Sequence, residues 1–220
     1  MCKPRRNPIK TFWPVPRKPF RPMKRFGPDR IGLTAYHDRG FVVAKPADAF
    51  APWLQSRAAS LPHRISGSCT NLAAGLEVSL RLLRRTPRGV LRRLWLLSDG
   101  LPNRQNHRVA PLIQAAKDAH VNINTIAFGD RRNCNVKLLR QIAAATHNGR
   151  YFSIDNLRDL SEALIQSGLP RSRRRHQSET TVICVDLSGS MLGPMNGCRK
   201  IDVVGEAIIA LLRYKQNVWS

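Results

Sequence analysis

Short, unbroken apolar runs alternate along this chain with stretches whose leucines recur every three or four residues, and that alternation restricts the fold more than any other feature. Residues 94–97 (LWLL) and 180–185 (TTVICV) are apolar enough to read as strands buried on both faces. Residues 122–128 (NINTIAF) and 150–153 add two further strands. Residues 30–43 (RIGLTAYHDRGFVV) predict a strand pair around a turn at 37–40. Between these lie helical spacings at 47–60, 71–85 (NLAAGLEVSLRLLRR), 109–119, 136–146, 157–167 and 201–214. Pro111 is tolerable because it falls in the first turn of its helix. Strands alternating with helices predict an α/β fold: a doubly wound, mostly parallel sheet with helices on both faces.

The domain organisation follows from shifts in texture. Residues 1–28 hold seven prolines, nine basic residues and no acid, so they read as an extended basic arm without a core, expected to be disordered. Residues 29–167 form the main part of the folded domain. Residues 168–179 read as an arginine-rich linker. Residues 180–220 supply one more strand, a loop and a helix of the same domain. A strand–helix unit arriving after the pattern already looked complete is the oddity of this chain.

Composition bounds the function. A hydrophobic share of 42% beside 23% charged residues is that of a globular protein. No run approaches the roughly 18 apolar residues of a membrane span. The basic N-terminal residues have no apolar segment behind them, which argues against a secretory signal and for a cytoplasmic protein. Five cysteines without a C-x-x-C pair fit neither a disulfide framework nor a zinc site. The net charge of +23 should attract nucleic acid, acidic proteins or anionic lipid, although a merely solvated basic surface is an equal reading.

Three loops carry chemistry. Asp186-Leu187-Ser188-Gly189-Ser190-Met191 follows the 180–185 run, and Ser98-Asp99-Gly100 follows the 94–97 run. Open parallel sheets bind ligands at this carboxyl edge. Ser188 and Ser190 stand two apart on a turn, and Thr70, in Gly67-Ser68-Cys69-Thr70-Asn71-Leu72, opens a helix. Two carboxylates and three hydroxyls are hard oxygen donors of the kind Mg²⁺ accepts, with Mn²⁺ or Ca²⁺ as alternatives. Taken singly, the serine loop could be a capped turn, Thr70 a helix N-cap and Ser98-Asp99-Gly100 an ordinary turn. His37, His63 and His147 have no ligand-like spacing, Cys184 reads as core and Cys69 as packing. Asp38 and Asp130 fall in loops bordering the site and read as structural.

The D-x-S-G-S loop at 186–190, the threonine at 70 with Gly75 one turn on, and the LLSDG of 96–100 together resemble the von Willebrand factor A (vWA) family with its metal-ion-dependent adhesion site. Segments 29–38 (DRIGLTAYHD), 126–130 (IAFGD) and 138–152 (LLRQIAAATHNGRYF) are similar to it as well, so the likeness covers 29–167 and 180–216. In that family the D-x-S-G-S strand comes first, so this chain reads as a circular permutant, with the original ends joined through 168–179. Chain termini of a domain lie close together, which makes such a rearrangement physically reasonable.

The resemblance implies a metal held by Asp186, Ser188, Ser190, Thr70 and Asp99, completed by a carboxylate of a protein partner. It is closest in flavour to intracellular bacterial members that work with MoxR-type AAA+ ATPases or as part of a magnesium-chelatase D subunit. That implies scaffolding; no nucleophile–base pair and no P-loop stand in the chain, so no enzymatic turnover is expected. The alternative is nucleic-acid binding through the 1–28 arm, whose aromatic residues could stack on bases, and through the arginines at 171–175. A third reading is a relic whose permuted product does not fold stably.

Overall fold

The computed structural model describes residues 29–49, 51–67, 69–99, 101–129, 134–166 and 178–219. The 1–28 arm, Asp130 and almost all of the 168–179 linker therefore lie outside the described residues. In chain order the elements are β1 (Arg30–Tyr36), β2 (Gly40–Asp48), α1 (Pro52–Ala59), α2 (Leu72–Leu83), β3 (Leu91–Ser98), α3 (Val109–Asp118) and β4 (Val121–Phe128). There follow α4 (Val136–Ala144), β5 (Tyr151–Ile154), α5 (Leu157–Gln166), β6 (Glu179–Asp186), a two-residue hairpin of β7 (Pro194–Met195) and β8 (Cys198–Arg199), and α6 (Lys200–Trp219).

Six of the strands form one sheet in the order β2-β1-β6-β3-β4-β5. All neighbours are parallel except the β1–β2 hairpin. The last strand in sequence thus lies at the centre: Arg30 to Tyr36 of β1 align with Thr180 to Asp186, and Leu91 to Leu97 of β3 with Glu179 to Val185. Every residue of β6 is buried, as expected for a strand paired on both edges and covered on both faces.

Alternation along each strand divides the core in two. Ile183 and Val185, with Trp95, Leu97, Ile31 and Leu33, pack toward α1, α5 and α6. Val182 and Cys184, with Leu94, Leu96 and Ile123, pack toward α2, α3 and α4. On the latter side Gly75 lets α2 press against the sheet: a Cβ there would stand 2.5 Å from Tyr36 Cδ1 and 3.0 Å from Cys184 Sγ. The N-terminal edge of the central strands is tied by charge. Asp29 accepts from the backbone N–H of Glu179 and pairs with the buried Lys215, while Glu179 pairs with Arg93 at 2.9 Å.

Three expectations are corrected at their boundaries. Ala47 and Asp48 continue β2 opposite Ile31 and Arg30, so the helix expected from 47 starts only at Pro52, whose ring suits a first turn. Ser178 and Glu179, assigned above to the linker, are buried at the start of β6, where the ion pair to Arg93 holds Glu179. The β7–β8 hairpin has no counterpart in the expected elements. It turns on Asn196-Gly197, with φ of 50° and 83°, the residues that left-handed hairpin turns favour.

Candidate functional site

The carboxyl ends of β6 and β3, neighbours in the sheet, deliver Asp186 and Ser98-Asp99 side by side. Asp186 is fully buried, and Asp99 nearly so. The Asp186 carboxylate accepts from the Ser188 backbone N–H at 2.9 Å through Oδ1 and from Ser98 Oγ at 3.2 Å through Oδ2. Burial pushes the Asp186 carboxyl up to about 6, against the pull of those hydrogen bonds; the charge of Asp99 adds to the rise. Two carboxylates are thus brought near one another out of water, Asp186 satisfied by hydrogen bonds alone.

Beyond Asp186 a single turn, Gly189–Leu192, swings the two serines toward Asp99. Ser188 Oγ and Ser190 Oγ lie 2.9 Å apart, and Ser190 Oγ donates to Asp99 Oδ1 at 2.8 Å. Ser188 is buried while Ser190 is exposed, so the chain of oxygens runs from the core to the surface. At its far end Lys200, the first residue of α6, donates to Asp99 Oδ2 at 2.7 Å. Gly129 leaves the passage for this lysine: a Cβ there would stand 2.9 Å from Lys200 Cε.

The third loop reaches the site by backbone bonds. Ser66 N–H donates to Leu187 O at 3.3 Å, and Gly189 N–H donates to Gly67 O at 3.2 Å. Thr70 is buried three residues beyond Gly67, its N–H held by Asn103 Oδ1 at 3.0 Å and its carbonyl by the Asn103 N–H. The N-cap of α2 is Asn71, which accepts from the Ala74 N–H, so the capping role open to Thr70 in the sequence belongs to its neighbour. Four of the five residues singled out, Asp186, Ser188, Ser190 and Asp99, share one hydrogen-bonded cluster, and Thr70 stands on the loop bonded to it.

Sequence reasoning missed several residues here. Lys200 and Asn103 belong to no motif that announces them, and Ser98, although it stands in the LLSDG loop, is not marked there as the partner of Asp186. Asp38, read as structural, lies close to Gly67, where a Cβ would stand 3.4 Å from its Oδ2; its Oδ1 is buried without a hydrogen-bond partner. Leu101 and Leu192 are 57% and 46% exposed, each two residues beyond a candidate ligand, Asp99 and Ser190. Among the described residues no group of three or more His, Cys, Asp or Glu side chains could hold a metal ion, so a cation here would depend on the hydroxyls.

Comparison with known proteins places the fold. No curated protein matches the chain. A conserved hypothetical protein, BatB from Bacteroides thetaiotaomicron, is similar in structure at 16% identity and a TM-score of 0.51, over 64% of this chain and 78% of that one. An aerotolerance-related membrane protein from Bacteroides fragilis is similar at 17% identity and a TM-score of 0.47, over 60% and 75%. A membrane spanning protein from Vibrio fischeri is similar at 24% identity and a TM-score of 0.32, over 65% and 77%. The cytoplasmic assignment drawn from the sequence is corrected by these neighbours, two of which are described as membrane proteins. No described helix is long and apolar enough to cross a membrane. The model of the von Willebrand factor type A domain matches residues 25–166, and with the sheet described above the chain belongs to that family.

Proposed function

We propose that this chain is a metal-dependent protein-interaction module whose site takes Mg²⁺, or Mn²⁺ or Ca²⁺ in its place, through Asp186, Ser188, Ser190, Thr70 and Asp99, and captures an acidic side chain of a partner. The carrying observation is the spacing of three oxygens. Neighbouring ligands of an octahedral ion with bonds of about 2.1 Å stand about 3.0 Å apart. Ser188 Oγ, Ser190 Oγ and Asp99 Oδ1 are separated by 2.9 and 2.8 Å. When bound, the ion supplies an electrophilic position for a carboxylate oxygen. The protein supplies the rest: buried Asp186 orients the serine loop through the Ser188 N–H, and exposed Ser190 marks the open side. Leu101 and Leu192 give that side an apolar border, as protein interfaces do around a polar centre.

We read the site as one for binding rather than turnover: the exposed Ser190 hydroxyl donates to Asp99, which this reading makes a fellow ligand of the ion. A MoxR-type AAA+ ATPase remains the partner class that the resemblance suggests. We also read the chain as circularly permuted. The family match ends at residue 166, and the strand that the matched segment leaves out of the sheet's centre is supplied by Glu179–Asp186. Thermal melts with and without Mg²⁺ test the metal reading. A melting temperature that rises with Mg²⁺ in the wild type and not in Asp186→Ala supports it; an Mg²⁺-independent melt of the wild type overturns it.

A further inference from the structure

The opposite, N-terminal edge of the sheet carries a recess of 560 Å³, lined among others by Arg88, Arg92, Lys117, His120, His147 and Asn148. No acidic residue lines it among the described residues. Its volume lies within the range of small-ligand sites. The chain converges on it by three separate turns, after α2, α3 and α4, each fixed by a residue with left-handed backbone: Gly89 at φ 81°, His120 at 51° and Asn148 at 57°. Arg92 forms a rigid wall, donating to Ala119 O at 2.8 Å and Thr86 O at 2.9 Å, with its Nε buried and without a partner. Arg88 and Lys117 are exposed at the rim.

Like charges brought together by rigid turns repel one another, and an anion removes that cost. We propose that this recess is a binding site for the phosphate groups of an oligophosphate anion, whether a free polyphosphate or the backbone of a single-stranded nucleic acid. Arg88 and Lys117 supply the charge at the rim, and the side-chain amides of Asn122 and Asn148 supply neutral donors beside it. The site stands independent of the metal reading, because it lies at the other end of the strands.

The test is isothermal titration of the full chain with tripolyphosphate, and separately with a short oligothymidylate, the variants being compared at one ionic strength and the wild type also across a salt series. The wild type should bind saturably, and Arg88→Glu/Lys117→Glu should weaken binding at least tenfold. A control of equal charge change on another face, Arg57→Glu/Arg213→Glu, should change it less than threefold. Tight oligothymidylate binding with a steep salt dependence identifies nucleic acid as the source, and preference for tripolyphosphate identifies the free anion. Equal losses in the two double variants, or no loss in the first, overturn the proposal by assigning binding to overall charge or to the basic arm.

Discussion

Lys200 at the start of α6 and Asp99 just past the end of β3, 101 residues apart, meet at 2.7 Å with the carboxylate buried and the lysine only 13% exposed. The ammonium occupies one side of a carboxylate whose other oxygen faces Ser190. Two carboxylates and one lysine leave the site with a single formal negative charge, so a divalent ion would make it net positive and attractive to an acidic group.

Removing that charge should separate two affinities. Lys200→Met should tighten Mg²⁺ binding by about tenfold, from the loss of a nearby repelling charge in a poorly solvated site, while weakening capture of a glutamate-bearing peptide. Calorimetry with Mg²⁺ alone, then with peptide, reads both. Weaker binding of both would show that the lysine serves only to hold the site in shape.

Apolar contact should be separable from metal binding as well. Leu101→Ala and Leu192→Ala, both at exposed positions, should leave the Mg²⁺-dependent melting shift unchanged and lower partner affinity several-fold. A lost Mg²⁺ response in either would assign these leucines to the site's architecture.

Gly75→Ala should destabilise the fold by about 1–3 kcal/mol, because the added methyl meets the Tyr36 ring and Cys184 with no room to relax. Chemical denaturation measures this. The Tyr36 hydroxyl, bonded to Leu97 O, should shift with it, visible in tyrosine absorbance.

The buried pair of Lys215 and Asp29 predicts a cost of about 3–5 kcal/mol for Lys215→Met, which strands a buried carboxylate. Asp29→Asn in the same chain should recover much of it. A double variant no more stable than the single one would place the effect in packing of the lysine stem.

Thiol chemistry offers a check on burial. The Cys134 thiol is pushed up to about 12 and the Cys184 thiol to about 11, chiefly by burial, so both stay protonated at pH 8 and should resist alkylation. Cys198 is exposed and should react first among the four described cysteines, as peptide mapping after brief iodoacetamide treatment would read. Rapid labelling of Cys184 would mean that the sheet opens readily at its centre.

Most elements were legible because burial writes itself into periodicity: LWLL and TTVICV could only be strands covered on both faces. The serine loop and LLSDG were legible because strand ends and hydroxyl spacing are local properties. What stayed hidden depends on distance in the chain. Lys200 looks like any basic residue at a helix start until Gly129 opens a path for it, and the extent of β2 is set by pairing with β1, which overrides the helical spacing around Ala47. The Asn-Gly of the β7–β8 hairpin was a readable turn signal in a stretch too short to draw notice.

The central place of β6 also bears on how the molecule is made. As the nascent chain leaves the ribosome, β1 and β3 emerge well before their common neighbour, and until residue 186 is free neither layer of helices has a complete floor to rest on. A premature stop anywhere ahead of it removes the strand on which both halves of the sheet pair.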